Sequence, residues 1–509
     1  MKTEAQHVKN WDLETDVIVI GFGLAGGVSA IEAVDKGLEV LVLEKMPQPG
    51  GISICSGGGV RTATNKNSAF QYLKATCGGA TPDDVLQVFA QGMVEVRSYM
   101  EKLAAIHQVE LATIDYPGNY PFPGYQELGF TMYGRIPDLD YRTYHPQVLG
   151  MRGGKRHFKI IEDNVAQREV QILTDSPVQR LITDEHHRVI GVSAKHKSRE
   201  LLVKARKGVI LSCGGFEANE EMKRQYIANV PIISAAFRGN TGDGIKMAQK
   251  VGASLWHMNV IHGTYGFLHT DPNYPFGLRT ARLTDWSPVI PLKQNFNMCW
   301  ILVDQNGQRY MDEYPPYLQD TGHLDMLYLD PVTQKYPRAP SYLIFDEEGR
   351  KCYPLSMPAY NESGINFEWS DDNLKEVASG ILIKADSINE LASKIGVEAD
   401  ILNTTISRWN QGCENNIDGE FGRRSETMMP ICNPPYFYGE AWPIVSNTQG
   451  GPVHNEHWQV LDAFKDPIPG LYEAGECGGI WGHLYLAAGN LAECYIGAWS
   501  AINHIAGYS

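Results

Sequence analysis

The sequence predicts an α/β protein whose parallel sheet is covered on both faces, with an α+β unit inserted into it. Three observations predict it. Residues 16–45, DVIVIGFGLAGGVSAIEAVDKGLEVLVLEK, read as strand, glycine turn, helix and second strand. Both strands are continuous apolar runs rather than alternating ones, as expected where helices cover each face of a sheet. From 256 to 433 the texture changes to aromatic, proline-rich sequence with short polar helices, before strand and glycine-turn character returns at VLDAFKDPIPGLYEAGECGG.

Taken in order, the first turn carries Gly21, Gly23 and Gly26 as GxGxxG between strand and helix, and Glu44 ends the next strand 23 residues after Gly21. In that setting the first glycine permits the turn, the second lets backbone approach a pyrophosphate, and the third lets helix pack on strand. The helix N-terminus supplies oriented N–H donors, and the acid accepts from ribose hydroxyls. This is a Rossmann-like dinucleotide site, and the glycines alone do not separate NAD from FAD. Gly50, Gly51, Ser53, Ser56, Gly57, Gly58 and Gly59 follow as a loop suited to running backbone along an extended cofactor. MRGGKRH (151–157) reads as a solvated turn. The aromatic stretch with Tyr116, Tyr120, Phe122, Tyr125, Phe130 and Tyr133 reads equally as pocket wall or as core. KGVILSCGG (207–215) is a further strand and turn, and NTGDGIKMAQKVGA (240–253) a turn entering a helix. The expected division is a first domain over 10–255, an inserted domain over 256–433 with helices near 387–394 and 399–410, and a return to the first domain over 434–509.

A net charge of −15 repels polyanions, so nucleic acid is excluded as a partner. The longest uncharged apolar run, 17–31, has 15 residues, short of the ~20 a spanning helix needs. The first residues lack the pattern of a secretory signal, and a cytoplasmic location is expected. The nine cysteines contain no CxxC pair, which argues against structural zinc or a clustered iron–sulfur site, and no metal is expected.

The motifs GFGLAGG, LEKMPQPGGISICSGGG, GVILSCGGFEAN, NTGDGIKMA, LVDQNGQRYMDE, and IPGLYEAGECGG followed by AAGNLAE resemble, in order and over nearly the whole chain, the flavoprotein family of fumarate reductase, succinate dehydrogenase and 3-ketosteroid dehydrogenases. The resemblance implies FAD, bound by a Rossmann-like FAD-binding domain, with the inserted α+β domain acting as a catalytic cap. It implies that Glu44 and Lys45 hold the ribose region and Val178 the adenine. The rest of the cofactor would lie along Gly21, Gly23, Leu24, Ala25, Gly26, Gly51, Ile52, Ser53, Ser56, Gly57, Gly58, Cys213, Gly214, Asp243, Gly475, Glu476, Asn490 and Leu491. No histidine stands beside the glycine loop, so the FAD is expected to be non-covalent.

Dicarboxylate enzymes of this family need fixed guanidinium and imidazole groups, and their C-terminal motif resembles HGxNRLGGN. Here Trp481, Leu484 and Tyr485 stand in place of its His, Asn and Arg. Where those enzymes place a catalytic Arg, four residues after the Glu of RYMDE, this chain has Tyr317. Tyr317 and the spacing of Gly482, His483, Tyr485 and Gly489 are similar to 3-ketosteroid 1-dehydrogenases. That resemblance implies that Tyr317 takes a proton from the carbon α to a ketone while a hydride passes to flavin N5. It also implies that the Tyr485 O–H and Gly489 N–H bind the carbonyl as an oxyanion hole. A tyrosine, with an ordinary pKa of ~10, needs its anion stabilised to act as that base. The expected substrate is a bulky apolar ketone or enone, first of all a 3-ketosteroid oxidised at Δ1. Reduction of a Δ4 or non-steroidal enone stays open, as does a flavin electron carrier without an organic substrate. A fumarate-type reductase would need another arginine, for which Arg279 and Arg282 are the candidates. The sequence does not name the electron acceptor or donor.

Overall fold

The computed structural model describes residues 10–149, 151–281, 283–284, 297–361 and 367–507. It divides into two units, one of 1–222, 237–261 and 447–509, the other of 223–236 and 262–446.

The first unit is built on β1 (Leu13–Ile20), α1 (Leu24–Asp35) and β2 (Val40–Leu43). Val17, Ile18, Val19, Val28, Ile31, Leu41, Val42 and Leu43 are buried, so burial on both sheet faces follows from the unbroken apolar runs. An antiparallel side sheet comes next, from β3 (Val60–Ala63), β4 (Leu111–Ile114) and β5 (Leu128–Tyr133), with helices α2 (Lys66–Cys77), α3 (Asp83–Ala104) and α4 (Gly153–Gln167). The main sheet continues with β6 (Gln171–Leu173), β7 (Val178–Thr183), β8 (Val189–His196), β9 (Arg199–Leu211), then α5 (Asp243–Lys250), β10 (Gln459–Leu461), β11 (Pro467–Glu473) and α6 (Gly489–Ala506). Its order is β10-β11-β9-β1-β2-β6. Pairing is parallel from β11 through β6, and β7 and β8 extend β9 as an antiparallel flap. The ends of β1, β2, β9 and β11 are thereby neighbours, which is where open α/β sheets place their ligands.

The second unit is a seven-stranded sheet whose longest strand, Tyr436–Thr448, pairs antiparallel with Ser341–Asp346 and with Leu382–Ala385. One face packs on the helices Ile388–Ile395 and Ala399–Asn415 through Leu391, Leu402, Ile406 and Trp409. An aromatic cluster including Tyr265, Phe267, Trp300, Tyr314, Phe345 and Phe437 forms a second core.

The division differs from the expected one in three places. Ile233–Ser234 pairs in parallel with Ile444–Val445, which draws 223–236 into the second unit. The chain does not return to the first unit at 434, because the strand Tyr436–Thr448 begins there, and the boundary falls at 446/447. The other junction is at 261/262 rather than 255/256. Among the described residues no helix is long and apolar enough to cross a membrane.

Candidate active site

The glycine turn is sterically forced. Gly21 has φ +100°, and a Cβ there would lie 2.5 Å from the Ser212 carbonyl oxygen; one on Gly26 would lie 1.9 Å from that of Gly21. Gly23 differs, since its nearest neighbour would be Ser53 Oγ at 3.4 Å. Its missing side chain leaves room beside the start of α1 for a group that is not protein, which is what pyrophosphate approach requires. Ser53 Oγ accepts the Leu24 N–H at 3.1 Å and so ties the loop to that helix start. Ala25 is buried in the first turn of α1.

Glu44 is buried at the end of β2, its two oxygens accepting the N–H groups of Phe22 at 2.7 Å and Met46 at 2.8 Å. Burial pushes its carboxyl above the ordinary range despite these bonds. A carboxylate has about four lone-pair sites, so two backbone donors leave capacity for ribose hydroxyls. Lys45 Nζ donates to Asp243 Oδ2 at 2.7 Å and to Thr241 Oγ1 at 2.8 Å, which brings these two expected cofactor residues together at the start of α5. The Ser176 N–H donates to the Glu44 carbonyl at 2.8 Å, and Val178 opens β7 two residues on.

The loop folds as a short turn of 3-10 helix, Gly51–Cys55, which includes Ile52. Ser56 Oγ donates to the Ser53 carbonyl at 2.8 Å and accepts the Gly58 N–H at 3.2 Å. Gly58 has φ +76° and packs against Gly153, while Gly57 lies near Met151. MRGGKRH is accordingly corrected: 153–157 is the buried beginning of α4, with Lys155 donating to the Tyr141 carbonyl at 2.9 Å, because the glycine pairs must pass each other backbone to backbone. Gly214 (φ +71°) lies against the Asn240 side chain, and Gly475 (φ +76°) near Ala25 and Cys494. A Cβ on Gly244 would lie 2.4 Å from Cys213 Sγ and 3.0 Å from Cys477 Sγ.

Glu476 is one of a buried acid pair. It accepts the Thr448 N–H at 3.0 Å and Asn447 Nδ2 at 3.3 Å, while Glu217 accepts Asn240 Nδ2 at 2.7 Å. Burial raises Glu476 to about 7; burial and the neighbouring Glu476 charge raise Glu217 well above its ordinary value. Sequence reasoning missed Glu217. Its only signal was a lone acid inside the glycine-rich GGFEAN. Glu493 is held by backbone and ring donors: it accepts the Ile480 N–H at 2.7 Å and Trp481 Nε1 at 3.1 Å, and burial raises it to about 8.

At the start of α6, Leu491 is buried, and the Asn490 side-chain nitrogen and oxygen are both buried without a hydrogen-bond partner among the described residues. A buried orphan amide is costly unless a further group meets it. With the space at Gly23 and the acid at Glu44, it fits an extended dinucleotide.

The Tyr485 ring is buried, edge-on to Trp481 at 5.5 Å, and its oxygen accepts the Asn490 N–H at 3.4 Å. The Gly489 N–H donates to the Leu486 carbonyl at 2.8 Å, because the chain closes a tight turn there. A Cβ on Gly489 would lie 2.3 Å from the Trp481 ring, so the glycine is required by packing.

In the second unit, Tyr317 is 4% exposed, which rules out a hydroxyl standing in solvent beside Pro315 and Pro316. Its backbone is left-handed (φ 51°, ψ 60°), and its ring lies parallel to that of His262 at 6.1 Å. The RYMDE motif, which ends four residues before it, is an ion-pair core: Arg309 bonds Glu313 twice at 2.8 Å and Asp418 at 3.0 Å, and Arg423 reaches Glu313 at 3.3 Å. Arg279 donates to Gln319, and Arg282 lies outside the described residues. The aromatic segment divides: Tyr116 and Phe130 lie 5.5 and 5.9 Å from the Arg61 guanidinium and Tyr133 bonds Tyr495 at 3.2 Å, whereas the half-buried Phe122 and Tyr125 line a cavity with Ser68 and Glu127.

The sequence profile of one family, described as an FAD binding domain, matches residues 16–491. A 3-oxosteroid 1-dehydrogenase of Mycolicibacterium smegmatis is 26% identical over 571 residues, covering 94% of each chain. The acrylate reductase flavoprotein subunit of Shewanella woodyi is 27% identical over 518 residues, covering 96% of this chain and 90% of its own. Among solved structures, a 3-ketosteroid Δ1-dehydrogenase of Sterolibacterium denitrificans in complex with 1,4-androstadiene-3,17-dione matches with a TM-score of 0.81 at 24% identity, over 97% of this chain and 100% of that one, a likeness of fold.

Proposed function

Because this chain belongs to the FAD binding domain family, and is an FAD-dependent oxidoreductase of it acting on CH–CH groups, we propose that it dehydrogenates a bulky apolar ketone, first of all a 3-ketosteroid at Δ1. The observation that carries this reading is the pair of buried tyrosines, Tyr317 and Tyr485, at the two positions where dicarboxylate reductases resemble one another in holding arginine. A phenol suits a neutral carbonyl; a dicarboxylate needs charge. When bound, FAD exchanges a hydride with the carbon β to the carbonyl. The residues holding it would be Glu44, the Gly21–Gly26 turn, Ser53 and Asn490, in non-covalent association.

Tyr485 then holds the substrate oxygen, where charge develops as the α proton leaves. Gly489 contributes by shaping the turn and by admitting the Trp481 ring, its own N–H being engaged by Leu486. Tyr317 moves the proton at the carbon α to the carbonyl, and its burial excludes water from that step. In reverse, Tyr317 protonates the α carbon of an enone while Tyr485 holds the carbonyl oxygen, the hydride reaching the β carbon from reduced flavin; the likeness to the acrylate reductase flavoprotein subunit supports the reductive direction, on a carboxylate rather than a ketone.

Anaerobic titration of the yellow protein with a saturated 3-ketosteroid tests the proposal. Bleaching of the flavin band with formation of the Δ1 product is expected. An unbleached flavin, with the reduced protein reoxidised by fumarate instead, would refute it. Tyr485→Phe should weaken ketone binding by about tenfold, the worth of one good hydrogen bond; a dissociation constant equal to that of the unaltered protein would remove the carbonyl contact.

A further inference from the structure

The turn that carries Tyr485 is held from outside by two side chains, Arg61 and Asn119. Ala488 is left-handed there (φ 65°, ψ 6°), a conformation that costs an L residue about 1 kcal/mol or more. Arg61, on β3, bonds two residues of that turn and one residue outside it. Its backbone N–H donates to the Ala488 carbonyl at 3.0 Å, its Nε to the Ala487 carbonyl at 2.8 Å, and its Nη1 to the Tyr116 carbonyl at 2.8 Å. From the other side, Asn119 Oδ1 accepts the Ala487 N–H at 3.0 Å. Arg61 is 0% exposed, and β-pairing with Phe130 sets that ring beside its guanidinium, with the Tyr116 ring also in cation–π range. A fully buried cation is expensive to keep, and the planar fork fits two carbonyls in a way an ammonium cannot.

We propose that Arg61 is a positioning residue for the substrate-carbonyl group: it fixes the 487–488 turn and, through it, the place of the Tyr485 phenol and the start of α6. The proposal rests on Tyr485 being the carbonyl-binding residue. A side chain that acts through Tyr485 loses its influence when the phenol is absent, whereas a general structural role does not.

The experiment is a double-mutant cycle of Arg61→Lys with Tyr485→Phe, reading kcat and KM for 4-androstene-3,17-dione in preparations of matched FAD content. Arg61→Lys is expected to lower kcat and kcat/KM together by about tenfold alone, and by less than about twofold when added to Tyr485→Phe. Equal losses in the two backgrounds overturn the proposal. Asn119→Ala, which releases the same turn without touching the buried charge, should show the same non-additivity and serves if Arg61→Lys does not fold. Should the unaltered enzyme not turn over the steroid, the functional reading fails separately. Hydrogen exchange then decides about Arg61: exchange about tenfold faster in 485–490, with β1 unchanged, supports the positioning role, and unchanged exchange in 485–490 overturns it.

Discussion

Tyr317 sits in a backbone region that only glycine enters without strain, and it is buried against His262 rather than turned outward. Strain held at a buried polar side chain is a reason to expect chemistry there. Tyr317→Phe keeps the ring and its packing and removes one oxygen. It should leave FAD content and melting temperature unchanged while lowering kcat by about a hundredfold or more, the usual worth of a general acid–base group; stopped-flow flavin reduction measures it, and an unchanged rate would take Tyr317 out of the mechanism. Tyr317 and Tyr485 could be singled out because a motif places them by counting. Glu217 could not, since its partner Glu476 is 259 residues away in sequence and only the fold joins their Asn240 bridge.

Among the elements, the βαβ unit was readable because two of its turn glycines obey local sterics: strand, turn and helix are contiguous, Gly26 clashes with Gly21 five residues away, and Gly21 clashes with Ser212 at the end of the adjacent strand. Gly26→Ala should therefore yield protein that purifies with little FAD, destabilised by about 1–3 kcal/mol, as absorbance ratio and chemical denaturation would report. The start of α6 offers the opposite test. Ala488→Gly relieves a left-handed alanine and should stabilise the protein by about 0.5–1 kcal/mol, visible as a raised denaturation midpoint. The strand Tyr436–Thr448 was misjudged for the reason that Glu217 was missed: its partners are Ser341–Asp346, Leu382–Ala385 and Ile233–Ser234, and no local pattern announces pairings so distant.

Taken as a whole, the molecule carries a net charge of −15 and also keeps several acids inside. Burial raises Glu476 to about 7 and Glu493 to about 8, both from the ordinary 4.5. A carboxyl raised on folding binds its proton more tightly in the native state. Its contribution is fully present below pH ~4.5 and is lost as pH climbs through the folded value. Stability should therefore fall between pH 5 and pH 8. Thermal melts across that window check the slope, and Glu493→Gln, which stays neutral throughout, should flatten it. A flat profile in the unaltered protein would mean that these acids are ionised when folded.

The chain passes between its two units at 222/223, 236/237, 261/262 and 446/447. Four passages make this protein awkward to dissect. A fragment cut at 262 and 446 would omit Ile233–Ser234 and leave the backbone of Ile444 and Val445 without its parallel partner, an open edge of the kind that recruits other chains. Anyone wishing to express the second unit alone would have to splice 223–236 back in through a linker, and the first unit would need joints in two places. The arrangement that hid one boundary from the sequence also makes the protein an all-or-nothing expression target.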